Sequence, residues 1–323
     1  MKTAYDPAAP TRPRRRRRPG RFIFFFLGIV LVSLVAWLAG VNTARAIGWR
    51  FLKVEPVDSG VLEDKLPLEV VIARDEHLLI TPATGTLKPV VAEGERVPVG
   101  ATIAYVLPVA ATPEGQNPLA IKAPFPGQVS YHTDGLEKAL QPAGLGNTGY
   151  QELKRLVDLA RPVTAQGQVK AGTAIGRLVK NFAPLTIYAP LALLPPGWQE
   201  GQKITLKLPG DGDAVRAAIT RLQDEGEQKA VLMTIPSWDE RWLTPRQLAV
   251  AAVLNRYQGC IIPAMALTRD PAGATGVYTM GARRIKWQAV TIEGQVGERV
   301  AVRGLEKGTE VIVNPRLARW LQK

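Results

Sequence analysis

Residues 80–106 read ITPATGTLKPVVAEGERVPVGATIAYV, and residues 121–137 read IKAPFPGQVSYHTDGLE. The first stretch carries Pro82-x-x-Gly85-x-Leu87 and then Gly94-x-x-Val97-x-x-Gly100-x-x-Ile103. The second carries Pro124-x-x-Gly127-x-Val129 and resumes further on with Gly167-x-Val169-x-x-Gly172-x-x-Ile175. Glycines at such places supply the positive φ or the close backbone approach of tight turns, and the aliphatics between them face a shared core. A repeat of this kind predicts two matching halves packed as a small sandwich of interlocked hairpins. The copies differ in one spacing: Gly85 to Gly94 is 9 positions, whereas Gly127 to Gly167 is 40. The second half therefore holds an insertion.

Around this repeat the chain is rich in Val, Ile, Thr, Gly and Pro, with short apolar stretches broken by turn residues, which predicts a mainly β fold. Residues 68–73, 102–107, 203–208, 231–235, 277–280, 288–292 and 310–313 are the expected strands. Inside the insertion, residues 150–161 (YQELKRLVDLAR) place Tyr150, Leu153, Leu156, Val157 and Ala160 on one helical face, and Pro162 ends it. Residues 245–256 show a weaker helical pattern that fits a strand equally.

The charge of +13 looks at first like a nucleic-acid signal. Yet residues 1–21 hold Lys2, Arg12, Arg14, Arg15, Arg16, Arg17, Arg18 and Arg21 against Asp6 alone, so this tail carries +7. Residues 22–41 (FIFFFLGIVLVSLVAWLAGV) then run without a charge, and 20 helical residues span about 30 Å, the thickness of a bilayer's hydrocarbon core. The basic excess before this span, against Arg45, Arg50 and Lys53 after it, predicts a cytoplasmic N-terminus and an extracytoplasmic remainder. Arg14 to Arg18 are expected to meet anionic lipid headgroups rather than nucleic acid, since no folded basic face accompanies them. Ala44-Arg45-Ala46 has the form of a cleavage site, but the apolar run exceeds a signal peptide's, so the expectation is an uncleaved anchor.

The chemistry-bearing residues are few. One Cys and two His exclude a disulfide framework and leave little for a zinc hydrolase. His132 with Asp134 and Glu137 is where an imidazole and carboxylates cluster, but Asp134-Gly135 also reads as a turn. His77 reads as a polar residue beside Arg74 and Asp75, and Cys260 as a buried structural thiol in an apolar strand. Asp211-Gly-Asp213 lacks the further carboxylates of a calcium loop. Trp238 and Trp242 fit either a partner surface or core packing. No catalytic, cofactor-binding or metal-binding residue is predicted, and no enzyme activity.

The two quoted stretches resemble the halves of a biotinyl/lipoyl-type barrel-sandwich hybrid. Residues 60–85 (GVLEDKLPLEVVIARDEHLLITPATG) resemble the approach to that domain in membrane fusion proteins, the HlyD and RND-related periplasmic adaptors. Residues 261–280 (IIPAMALTRDPAGATGVYTM) and 284–315 (RIKWQAVTIEGQVGERVAVRGLEKGTEVIVNP) are similar to the adaptors' barrel exit and membrane-proximal region. Exporting adaptors carry a long α-helical hairpin between the two halves. Here residues 106–120 (VLPVAATPEGQNPLA) are too short and too rich in proline for one, which puts channel docking in doubt and leaves the insertion as a short lateral arm. A carrier role needs a Lys at the hairpin; Gln116 stands at the expected position, and residues 106–120 contain no Lys.

The resemblance divides the chain into a basic tail (1–21), a transmembrane helix (22–41), a linker with a first strand (42–67), a barrel-sandwich hybrid (68–180) with a helical insertion near 132–162, a β-barrel (181–257), a membrane-proximal β-domain (258–315) and a tail (316–323). It implies a non-catalytic efflux adaptor acting in transmembrane transport, assembling with copies of itself, a transporter or an envelope complex. The alternative is an envelope or cell-division scaffold that keeps the adaptor fold. Gly85, Gly94, Gly100, Gly127, Gly172 and Gly304 are the expected architectural positions.

Overall fold

The computed structural model describes residues 20–109, 117–208, 214–226, 228–282 and 284–322. The basic run Arg14 to Arg18, Gln116 and the pair Asp211 and Asp213 lie outside these residues. The fold is mainly β and forms two compact units, residues 63–256 and residues 1–62 with 257–323.

Within the first unit, the repeat builds two four-stranded sheets, each with strands from both halves. One orders Gln168–Val169, Gly85–Pro89, Thr102–Pro108 and Leu119–Lys122; the other orders Glu76–Ile80, Ala174–Val179, Gly127–Ser130 and Arg96–Val97. The registers are related by the repeat: Val169 lies opposite Gly85, and Val97 lies opposite Gly127. Backbone bonds exchange in the same way, Leu87 N donating to Gly167 O at 2.8 Å and Gly94 N to Val129 O at 2.9 Å. The glycines do two jobs. Gly94, Gly100, Gly167 and Gly172 have φ between +65° and +78°. Gly85 and Gly127 instead admit close backbone: a Cβ would sit 2.1 Å from Leu107 O and 2.6 Å from Val179 O. The shared core contains Leu87, Ile103, Val129, Ile175 and Leu178.

A second layer of this unit is a closed barrel. Its strands run in the order Lys203–Lys207, Ala214–Glu225, Gln228–Ile235, Leu185–Leu191, Asp58–Ala73 and Gln247–Pro263, and the last returns to the first with Thr205 opposite Val253. Residues 68–73, grouped by sequence with the sandwich, pair with Leu185–Leu191 of this barrel, because Val70 and Ile72 complete its interior. The pattern at residues 245–256 belongs to strand Gln247–Pro263, not to a helix. Its alternation puts Val250 and Ala252 in the barrel core beside Trp242, Leu206 and Met233.

The barrel wall is apolar on both faces where the insertion covers it. Ile187, Val231 and Met233 point inward, while their neighbours Tyr188, Ala230 and Leu232 point outward with Val71 and Ala73. Onto this outer face pack Leu136, Leu140, Leu145 and Leu153 from the insertion, whose helix is Tyr150–Asp158. Arg221 Nη1 and Gln223 Nε2 of the wall donate to Gly146 O at 3.1 and 2.5 Å. The insertion is therefore no free lateral arm; its apolar face is spent on its own barrel.

The other unit begins with helix Gly20–Arg50, 31 residues and about 46 Å long, which continues nine residues past the uncharged run. Within it, Phe26–Arg50 is long and apolar enough to cross a membrane, and Phe26, Leu31 and Trp37 are exposed. A five-stranded sheet joins Val54–Pro56, Glu310–Ile312, Thr275–Gly281, Leu267–Arg269 and Arg284–Ala289. Residues 288–292 fall in two strands rather than one, since Val290 turns into the core between Arg284–Ala289 and Thr291–Val296. Gly304, at φ +102°, turns the chain after Arg299–Arg303. The predicted tail 316–323 is instead helix Pro315–Gln322, opened by a proline in the first turn and closed over the sheet by Ala318 and Leu321.

Candidate functional site: a buried charged hub

Three arginines and three carboxylates meet inside the first unit, each residue at most 8% exposed. They come from five segments: Arg74 directly follows a barrel strand, Glu76 and Arg177 lie on adjacent sandwich strands, Asp134 and Glu137 begin the insertion, and Arg246 precedes the last barrel strand. Arg246 grips Asp134 with Nε to Oδ2 at 2.6 Å and Nη2 to Oδ1 at 3.1 Å, and Nη2 also donates to Glu76 Oε1. Arg177 Nη1 donates to Asp134 Oδ2 at 3.2 Å, and its Nη2 to the carbonyls of Leu243 and Thr244, both at 3.2 Å. Arg74 Nη1 donates to the carbonyls of Trp242 at 2.6 Å and Pro245 at 2.9 Å. Glu137 Oε1 accepts from Asp134 N at 2.7 Å.

Local structure sets these positions. Arg74 and Glu76 flank the point where the chain leaves the barrel for the sandwich, and Asp134-Gly135 is the turn that the sequence predicts, with Leu136 N donating to Asp134 Oδ1 at 2.9 Å. Three positive and three negative side chains balance, which offsets part of the cost of removing them from water. Burial pushes the Asp134 carboxyl up, but the hydrogen bonds and charge of Arg246, with Arg177 and the Leu136 N–H, hold it below the ordinary carboxylate value. Burial also opposes the charge on Arg246, and Asp134 with Glu76 outweighs it, so that guanidinium is held more firmly than usual. Arg74 is the reverse: burial, then Arg246 and Arg177, bring it down to about 9. Its hydrogen bonds go to carbonyls, and its nearest carboxylate, Glu76, is a charge contact at 3.7 Å.

The hub cross-links sandwich, insertion and barrel, and its carboxylates are all engaged by cations or backbone N–H groups. The His132, Asp134 and Glu137 grouping is thereby divided. Asp134 and Glu137 enter the hub, whereas the half-exposed His132 contacts Thr164 Oγ1 through Nδ1 at 2.8 Å on a separate two-stranded ribbon. His77 is exposed and stands edge-on to Phe125, ring centroids 6.1 Å apart. Cys260 is buried, its Sγ 3.2 Å from Leu305 O. Trp242 is core, and Trp238 packs on that core while donating Nε1 to Ala183 O at 3.2 Å. Sequence reading named Asp134 and Glu137 but missed Arg74, Glu76, Arg177 and Arg246 as a group. A signal was present in Arg177, a charge within the otherwise apolar run Ala174–Val179.

Between the halves of the sandwich, Thr102–Pro108 and Leu119–Lys122 pair antiparallel with Val106 opposite Leu119, so ten residues of sequence, 109–118, separate the two paired strands. Ten residues are too few for two long helices.

Residues 76–180 match the family described as the RND related, barrel-sandwich hybrid domain. No curated protein matches the sequence. Among solved structures, ZneB from Cupriavidus metallidurans is 14% identical, with 82% of this chain and 92% of that one covered and a TM-score of 0.29. A putative efflux transporter from Bacteroides eggerthii is 16% identical over 76% of this chain and 87% of that one, with a TM-score of 0.34. MacA from Actinobacillus actinomycetemcomitans is 11% identical over 80% and 98%, with a TM-score of 0.33. The assignment rests on the family match, which covers both repeat halves and the insertion. Residues 76–180 are thus an RND-related barrel-sandwich hybrid domain, the domain type of the membrane fusion adaptors that the sequence resembles.

Proposed function

We propose that this chain is a membrane-anchored, non-catalytic adaptor that assembles with copies of itself and with a transporter or envelope complex on the outer side of the cytoplasmic membrane. The observation that carries this reading is the presence in one chain of an RND-related sandwich domain and a helix able to span a bilayer. The hub fits this reading, because its buried ion pairs tie sandwich, insertion and barrel into one body on which partners can assemble. The basic run Arg14 to Arg18 keeps the N-terminus cytoplasmic and holds anionic headgroups there. Affinity purification of the full-length chain from native membranes tests the proposal: a transporter subunit is the expected companion.

A second reading is an envelope or cell-division scaffold without transport. The ten residues between Thr102–Pro108 and Leu119–Lys122 favour it, since that length is too short for a long helical hairpin that could reach a distant channel. Recovery of envelope or division proteins with no transporter subunit decides for the scaffold and against the adaptor.

A further inference from the structure

The end of the N-terminal helix and the C-terminal helix Pro315–Gln322 are fastened together. Gly48 is buried beneath the C-terminal helix, where a Cβ would meet Trp320 Cζ3 at 3.0 Å and Leu321 Cδ2 at 3.1 Å. Just beyond, Asn314 Nδ2 donates to Phe51 O at 2.9 Å, Lys53 N donates to Asn314 Oδ1 at 3.1 Å, and Val313 N donates to Lys53 O at 2.8 Å. The short helix therefore sits where the long one ends. With residues 22–41 filling the hydrocarbon, Gly48 stands about 10 Å beyond its edge, at the level of the lipid headgroups.

The two faces of the short helix differ. Ala318, Leu321 and the half-buried Leu317 pack against Tyr278 and Ile285. Arg316, Arg319 and Trp320 are exposed on the other side, and the helix contains no acidic residue. Trp49, Arg50, Phe51 and Lys53 are exposed at the same level. A cleft of about 530 Å³ adjoins the helix, and its lining sets Arg269 and Arg319 against one carboxylate, Asp270, beside Tyr278 and Trp287. Exposed cations and interfacial aromatics at headgroup depth are the chemistry that takes up lipid phosphate.

We infer that helix Pro315–Gln322 lies on the leaflet from which the β-domains emerge, with Arg316 and Arg319 binding anionic phospholipid headgroups and Trp320 seated at the interface. It is a second membrane contact, separate from the span and from the N-terminal basic run. The inference rests on the span crossing a bilayer and does not depend on the adaptor reading.

The test is amide hydrogen exchange of residues 315–322 in the full-length chain, held in nanodiscs of phosphatidylcholine alone or of three parts phosphatidylcholine to one part phosphatidylglycerol. Exchange is expected to slow roughly tenfold in the anionic discs, and the slowing to vanish in Arg316→Glu with Arg319→Glu and in high salt. Unchanged exchange across strand Thr275–Gly281 shows that the variant is folded. Equal exchange in the two lipids overturns the inference, as does a slowing that survives the double substitution. Failure of the chain to enter the discs removes the bilayer on which it depends and overturns it as well.

Discussion

Arg246 and Asp134 lie 112 residues apart in the chain and are joined by two hydrogen bonds, at 2.6 and 3.1 Å, with both side chains less than a tenth exposed. Removing one partner leaves an uncompensated charge in the interior. Asp134→Ala is expected to cost about 3 to 5 kcal/mol in urea unfolding of the full chain. Asp134→Asn combined with Arg246→Gln is expected to cost less than the two single changes added together, because each single change strands the other's charge. Strict additivity would show that the pair is not coupled.

The same carboxylate sets an acid limit. Asp134 titrates below its ordinary value in the folded protein, burial being outweighed by Arg246 and its neighbours. A depressed folded pKa means that the unfolded chain binds the proton more tightly. The stabilisation is therefore full above the unfolded value of about 3.9 and is lost as pH falls through the lower folded value. Melting temperature followed downward from pH 6 should fall more steeply for the natural chain than for Asp134→Asn. Parallel curves would remove Asp134 as the source.

Glycines at different places in the repeat should fail in different degrees. Gly85→Ala would bring a Cβ to 2.1 Å from Leu107 O, and a strand backbone cannot yield that distance cheaply. A loss of about 3 kcal/mol or more in denaturant midpoint is expected. Gly172→Ala meets no atom within 4 Å but keeps φ at +77°, so about 1 kcal/mol of backbone strain is expected. The reverse order would contradict the assignment of close approach to one and positive φ to the other.

Leu153 is 1% exposed between the insertion helix and the barrel wall. Leu153→Ala should lower stability by about 2 to 5 kcal/mol and open the insertion to limited proteolysis. An insertion that stood free as an arm would be cut equally fast before and after the change.

How much was legible follows from the range of each interaction. The repeat could be read because several of its glycines answer a local need: Gly94 and Gly172 sit in their own turns at positive φ. The helix at Tyr150–Asp158 could be read from its apolar spacing, though what its apolar face covers could not. The outward Tyr188 and Leu232 alternate with inward Ile187 and Val231, so both faces read as apolar and neither names its cover. The C-terminal helix reads as a tail in sequence because its eight residues carry little helical signal alone, and packing on Tyr278 and Ile285 supplies the rest.

By itself the sequence determined the apolar span, the two interlocked halves and the shortness of the stretch between them, since each depends on residue type and spacing along one stretch of chain. Tertiary structure alone decided that Arg74, Glu76, Asp134, Glu137, Arg177 and Arg246 form one hub, that the insertion closes on its own barrel, and that the last helix rests where the first one ends. A charge in a sequence carries no mark of its partner. It becomes buried and paired only when five separate segments arrive at one point with their charges in balance.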